Sequence, residues 1–154
     1  MRMVLILISG AIIGAVSTAD LEELLRAKGV RPTRQRVAVL DELAGERDDA
    51  TAQVLWQRLR ERGDQSIGLA TVYRTLSLLH ERGVVDALSH HEGERCYRLC
   101  TAGHHHHLLC EQCHRVVEID DCDLGGWVDT IARRHGFVAN EHRVEISGLC
   151  DACR

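Results

Sequence analysis

Leu69-Ala-Thr-Val-Tyr-Arg-Thr-Leu-Ser-Leu-Leu-His-Glu-Arg-Gly-Val-Val-Asp-Ala-Leu88, with Arg95-Cys-Tyr-Arg-Leu99 just beyond it, is the stretch whose reading decides the fold. Val72, Leu76 and Leu79 stand at i, i+4 and i+7, which is one face of a helix from Leu69 to Arg82 that stops at Gly83. Tyr73, Arg74 and Ser77 project from a different face. Val84 to Leu88 and Arg95 to Leu99 then read as two strands around Ser89-His-His-Glu-Gly-Glu94, a polar turn containing glycine.

The chain upstream supplies more helices. Leu21, Leu24 and Leu25 form an apolar stripe that ends at Gly29. Thr33 can cap a second helix carrying Val37, Leu40 and Leu43 and ending at Gly45. Thr51 can cap a third with Val54, Leu55 and Leu59, closed by Gly63. Short helices followed by a hairpin outline a winged helix-turn-helix, in which the last helix enters the major groove and the hairpin lies along the backbone. Residues 20–100 are therefore predicted to be a winged-helix DNA-binding domain. Between Glu23 and Asp41 lie Arg26, Lys28, Arg31, Arg34 and Arg36 with no acid, a footprint suited to phosphates, although charge alone reads equally as a solvated helix face.

Residues 101–103 read as a linker, and residues 104–154 have a different character. The pattern is strand (His105 to Leu109), knuckle, strand (Arg115 to Ile119), helix (Asp123 to His135, with Trp127 and Ile131) and strand (His142 to Leu149). The fold class expected is α+β, a winged helix followed by a small α/β unit that binds zinc and dimerises. A unit of about 50 residues is too small to be secure alone, so a homodimer is expected.

Chemistry concentrates in this second part. Four consecutive histidines, His104 to His107, run into Cys110-Glu-Gln-Cys113, and Cys150-Asp-Ala-Cys153 answers them at the C-terminus. Each Cys-x-x-Cys closes a tight knuckle that presents both sulfurs to one tetrahedral ion, so Cys110, Cys113, Cys150 and Cys153 form a structural zinc site. The histidines exceed what that closed site can use, which implies further metal sites. Seven cysteines are an odd number for a secreted disulfide framework, and paired Cys-x-x-Cys with many histidines fits zinc in a reducing cytoplasm better. A redox dithiol is disfavoured because no helix follows Cys110-Glu-Gln-Cys113 to activate the thiolate. The net charge of -4 falls entirely downstream of Gly103. Cys96 reads as a small apolar filler of the wing, and Cys122 as a helix-start residue.

Residues 1–19 stand apart. Val4 to Val16 is uncharged and apolar, follows Arg2 and precedes small residues, the outline of a signal peptide and too short for a transmembrane helix, which needs about 20 apolar residues. Export would carry the thiols into an oxidising compartment, so the expectation is a mis-called start, with translation beginning near Val16.

Gly29-Val-Arg-Pro-Thr-Arg-Gln-Arg36, Ile67-Gly-Leu-Ala-Thr-Val-Tyr-Arg-Thr-Leu76, the His104 to Cys113 run and Cys150-x-x-Cys153 together resemble the ferric uptake regulator family, and within it the zinc uptake regulator branch of actinobacterial type. The resemblance covers residues 20–154. It implies a dimeric repressor that binds double-stranded operator DNA when metal-loaded, with no small-molecule substrate and no membrane partner. It assigns Thr71, Tyr73 and Arg74 to the DNA-facing helix, with Arg34 and Arg36 as backbone contacts. It carries a regulatory zinc onto Asp86, Cys100, His105 and His107. A third site falls on His104, His106 and His142, where this chain departs from the pattern: the acidic fourth ligand is expected where Gly125 stands. Asp121, Cys122, Asp123 or water can substitute, and the reading adopted is three protein ligands with reduced affinity.

Two alternatives differ in function. The same architecture can sense iron, manganese, nickel or peroxide; Cys100 argues against a peroxide sensor, whose iron shell would be nitrogen and oxygen only. A zinc hydrolase needs an open coordination position and a general base, and no His-Glu-x-x-His or comparable arrangement occurs.

Overall fold

Ser17 begins the first helix as its side chain accepts from the Asp20 backbone N–H while the Asp20 carboxylate accepts from the Ser17 backbone N–H, a reciprocal cap at 3.3 and 2.9 Å. The computed structural model describes residues 6–8, 11–13, 16–45, 49–89, 95–99 and 103–154. It divides into two units, residues 1–102 and 103–154. Near the start, β1 (Ile6–Ile8) pairs antiparallel with β2 (Ala11–Ile13).

Four helices follow in the first unit: α1 (Thr18–Ala27), α2 (Arg34–Ala44), α3 (Ala52–Glu61) and α4 (Leu69–Glu81). Thr33 and Thr51 cap α2 and α3, accepting from the N–H groups of Arg36 and Val54 at 3.3 and 3.2 Å. Gly29 and Gly83 adopt φ values of 69° and 61°, left-handed conformations that let the chain leave α1 and α4 sharply. The predicted hairpin is β4 (Val85–Ser89) against β5 (Arg95–Leu99), with Asp86 opposite Arg98. A short strand absent from the sequence reading, β3 (Ala50–Thr51), pairs with the other edge of β5 and makes the wing a three-stranded sheet of order β3-β5-β4.

The apolar faces anticipated for these helices converge on one core, where Leu21, Leu25, Leu40, Leu43, Leu55, Leu59, Val72, Leu76 and Leu79 are all buried. The Trp56 indole N–H donates to the Ile67 carbonyl at 3.1 Å and ties α3 to the segment that launches α4. Arg62 reaches back to α2, 2.8 Å from Glu42 and 3.2 Å from Asp41. The orientation of α4 is thus set by packing on one face, which leaves its other face to solvent.

The second unit contains β6 (His106–Cys110), β7 (Val116–Ile119), α5 (Gly125–Arg134) and β8 (Glu145–Gly148). β6 is central, antiparallel to β7 and parallel to β8, so the chain crosses over through α5. The expected strand from His142 shortens to four residues, and the expected helix from Asp123 begins at Gly125. Apolar burial here is slight. Leu109 and Cys110 are the buried apolar side chains, joined by His106 and His107, and α5 buries none. Among the described residues no helix is long and apolar enough to cross a membrane.

Candidate metal centres and nucleic-acid interface

Cys110 ends β6, and the turn after it doubles back sharply. His114 adopts φ 60°, its backbone N–H donates to the Cys110 carbonyl at 3.0 Å, and the Cys110 N–H donates to the Arg115 carbonyl at 2.9 Å. The second knuckle follows β8, with the Cys153 N–H donating to the Cys150 carbonyl at 2.9 Å. Parallel pairing of β8 with β6 brings the two turns together. The sulfurs of Cys110, Cys113, Cys150 and Cys153 all lie within 4.8 Å of one another, with Cys113 and Cys150 at 3.6 Å. Zinc–sulfur bonds of about 2.3 Å imply tetrahedral edges of about 3.8 Å, so the four sulfurs are already spaced for one ion.

The electrostatics point the same way. The Cys110 thiol is pulled down to about 6 by the backbone N–H of Cys113 and then that of Cys150, which stabilise its thiolate. Cys113, lowered by the Arg115 N–H, is raised on balance by the sulfurs of Cys110 and Cys150. Cys153 is pushed up to about 12 by Cys150 and then Cys113. A second and third thiolate beside the first therefore need a cation. Zinc added to the reduced, metal-free protein at pH 7 should release at least two protons from this site, one each from Cys113 and Cys153. Apparent affinity should rise with pH, because both thiols are protonated at neutrality and must ionise to ligate. Calorimetry in buffers of different ionisation enthalpy reads the proton count directly; buffer-independent heats would contradict it.

Alternation along the approach to β6 sorts the histidines. His105 and His107 lie with ring centroids 4.9 Å apart, the His105 Nδ1 within 3.1 Å of the Gly103 carbonyl. In the first unit, Asp86 is half-buried on β4. Cys100, the fourth residue expected with them, lies outside the described residues, as do Thr101 and Ala102 of the expected linker.

His104 and His106 form a separate group with His142. The ring centroids of His104 lie 4.6 Å from His106 and 4.4 Å from His142. His106 is buried, and its imidazole is held below its ordinary range, first by burial and then by the neighbouring charges of His104 and His142. The Val144 backbone N–H donates to its Nδ1 at 3.3 Å. Cys122, expected to be a helix-start residue, instead precedes α5 by a short loop and joins this group, its sulfur 3.0 Å from His142 Nε2. Neither Asp121 nor Asp123 belongs to it. Gly125, the position where the acid was expected, opens α5 with open space on the side where a side chain would stand.

The exposed face of α4 carries the other candidate site. Tyr73 is 47% exposed and Arg74 is exposed, while Thr71 is half-buried and accepts from the Arg74 guanidinium at 3.4 Å. Thr33, Arg34, Arg36, Thr71 and Arg74 line one cleft between α2 and α4. Arg34 is paired with Asp64 at 2.8 Å, and Arg36 donates to the Arg31 carbonyl at 2.8 Å. The cleft is a basic groove, and Tyr73 adds an exposed aromatic ring elsewhere on the solvent side of α4, chemistry that suits phosphate and base-edge contact.

A winged helix followed by a unit rich in clustered metal donors defines a class, that of two-part regulators which combine a DNA-binding fold with a metal-binding one. The ferric uptake regulator family model matches residues 27–147, and the chain belongs to that family. It is 44% identical over 130 residues to the zinc uptake regulation protein of Mycobacterium tuberculosis, spanning 84% of this chain and 99% of that one. It is 31% identical over 133 residues to the ferric uptake regulation protein of Campylobacter jejuni, spanning 86% and 85%. The crystal structure of the Vibrio cholerae ferric uptake regulator superposes with a TM-score of 0.63 at 29% identity, covering 84% of this chain and 98% of that one. The protein is therefore a regulator and not an enzyme, which disposes of the hydrolase alternative.

Proposed function

We propose that this protein is a zinc-responsive dimeric repressor that binds double-stranded operator DNA when zinc-loaded and controls genes of zinc uptake and homeostasis. The observation that carries this reading is the convergence of four cysteine sulfurs in a chain whose α4 leaves Tyr73 and Arg74 to solvent. The 44% identity to a relative named as a zinc uptake regulation protein supports zinc over iron as the effector. Thiolates favour zinc over iron(II) or manganese in the same direction.

In this reading the Cys110, Cys113, Cys150 and Cys153 zinc is structural and permanent. A second zinc, on Asp86, Cys100, His105 and His107, is exchangeable. Its ligands come from both units, so coordination fixes their mutual angle and sets two recognition helices of a dimer to compatible half-sites. Loss of that ion frees the angle and lowers operator affinity. His104, His106 and His142 provide a third site. Thr71, Tyr73 and Arg74 meet the major groove, and Arg34 and Arg36 meet phosphates, each exchanging its present partner for DNA. The reduced thiols required place the protein's action in the cytoplasm.

The test is binding of purified protein to operator fragments across buffered free zinc, with iron(II) and manganese in parallel. Binding should rise over a narrow zinc range, weaken with salt and collapse for Cys100→Ala. Binding that follows iron or manganese transfers the architecture to another effector, and metal-independent binding removes the switch.

A further inference from the structure

We infer that Cys122 is the fourth ligand of a closed metal site with His104, His106 and His142, one thiolate among three imidazoles, so that the third metal of this protein is held by sulfur where the family resemblance leads one to expect a carboxylate. The inference deepens the third-site reading above and is independent of the repressor reading, since it concerns metal binding without DNA.

Four observations carry it. One candidate donor atom from each of the four residues lies within 4.8 Å of the other three. The closest pairs are Cys122 Sγ to His142 Nε2 at 3.0 Å and His104 Nε2 to His106 Nε2 at 3.2 Å. Bonds of about 2.0 Å to nitrogen and 2.3 Å to sulfur give tetrahedral edges of about 3.3 to 3.5 Å, within the span these atoms already occupy. The donors also come from three separate places: the start of β6, the loop between β7 and α5, and the segment before β8. Convergence of three segments on one point is not a by-product of local chain geometry.

The place where an acid was expected gives the third observation. Gly125 has no side chain to offer, and the acids flanking Cys122, Asp121 and Asp123, are exposed and outside the group. The fourth is mechanical. α5 has no fully buried residue, and its apolar Val128 and Ile131 are only partly covered, so apolar packing holds its start weakly. An ion on Cys122 would anchor the chain three residues before α5 directly to β6. Four protein donors fill a tetrahedron and leave no position for water, which makes the site an ordering device.

A thiolate among three imidazoles also changes selectivity. Borderline-soft zinc and cobalt(II) gain from sulfur, whereas manganese gains most from oxygen. Four-coordinate cobalt reports this directly, because sulfur ligation adds a thiolate-to-metal charge-transfer band in the near ultraviolet. The experiment uses full-length, reduced protein with the Cys110, Cys113, Cys150 and Cys153 site filled by one equivalent of zinc, in a Cys100→Ser background that removes the other thiolate assigned to metal. Cobalt(II) is then titrated.

Cobalt should bind with the charge-transfer band, and Cys122→Ala should abolish the band and weaken that cobalt by roughly 100-fold, at or beyond the loss seen for outer-shell changes. Cys122→Asp should keep a cobalt site without the band and shift its preference toward manganese. A band of full intensity in Cys122→Ala, or an unchanged cobalt affinity there, overturns the inference. Should Cys122→Ala also lose its structural zinc, Cys122→Asp decides: cobalt without the band supports the thiolate ligand, and a persistent band refutes it. Cobalt binding that depends on Cys122, found together with a parent protein that keeps Cys100 and ignores DNA at every zinc level, leaves this site standing and removes the repressor reading.

Discussion

Cys153→Ser should cost the protein one tightly held zinc equivalent and the ordered fold of residues 103–154, while the winged-helix unit stays folded. The asymmetry follows from where the apolar side chains lie. The core built on Leu21, Leu40, Leu55 and Leu76 belongs wholly to the first unit, whereas the second buries little beyond Leu109 and Cys110 among apolar residues. A unit so poor in buried surface cannot offset the entropy of ordering its chain by hydrophobic burial. Structural zinc sites contribute roughly 10–16 kcal/mol of apparent binding free energy at neutral pH, all of it available to folding when the unfolded chain lacks the site. Serine is a poor zinc ligand, so most of that contribution disappears. Zinc stoichiometry together with amide exchange resolved by residue would check both halves, with β6 to β8 losing protection and α1 to α4 keeping it. Retained stoichiometry, or a second unit still protected after chelation, would refute the assignment.

Arg74→Ala should lower operator affinity by about 5- to 150-fold, the equivalent of the roughly 1–3 kcal/mol carried by one good base contact. Tyr73→Ala should act in the same direction through loss of apolar contact with the groove. Stability should be unchanged in both, because neither side chain belongs to the core and both project from the solvent face of α4. Asp129→Ala, an exposed change on α5 in the second unit and outside the clustered metal donors, serves as the control and should bind as the parent does. Fragments selected by the parent protein from a random pool supply the DNA, and thermal denaturation separates lost contact from lost fold. A pair of variants that bind within about twofold of the parent would remove α4 from the interface. Arg34→Ala differs in kind: it removes a phosphate contact rather than a base contact, so its effect should be weaker and uniform across sequences, and the exposed ion pair with Asp64 that it also breaks contributes little to stability.

Much of the first unit is legible in the chain itself. Thr33 and Thr51 announce the starts of α2 and α3, and Gly29 and Gly83 mark the exits of α1 and α4, because a side-chain cap and a left-handed backbone are local requirements met by few residue types. The i, i+4, i+7 stripe of Val72, Leu76 and Leu79 specifies its buried face for the same reason. Ala50–Thr51 escapes a sequence reading as a strand because two residues have no detectable period; their pairing is imposed by the edge of β5. The helix after β7 reads two residues too early, at Asp123, since an acid before a helix is a normal start signal while Gly125 and Gly126 are poor ones.

The metal chemistry divides in the same way. Cys-x-x-Cys spacing by itself marks Cys110 with Cys113, and Cys150 with Cys153, as paired candidate donors, since each pair sits in one tight turn. The winged-helix order and the exposure of Tyr73 and Arg74 were likewise written in the chain, as consequences of short-range periodicity. Only the tertiary structure decided that β8 runs parallel to β6, which brings the two cysteine turns to one point, and that Cys122 meets His104, His106 and His142. Those are encounters between residues far apart in sequence. Their geometry depends on the path of the crossover through α5, and no local pattern of side chains encodes it.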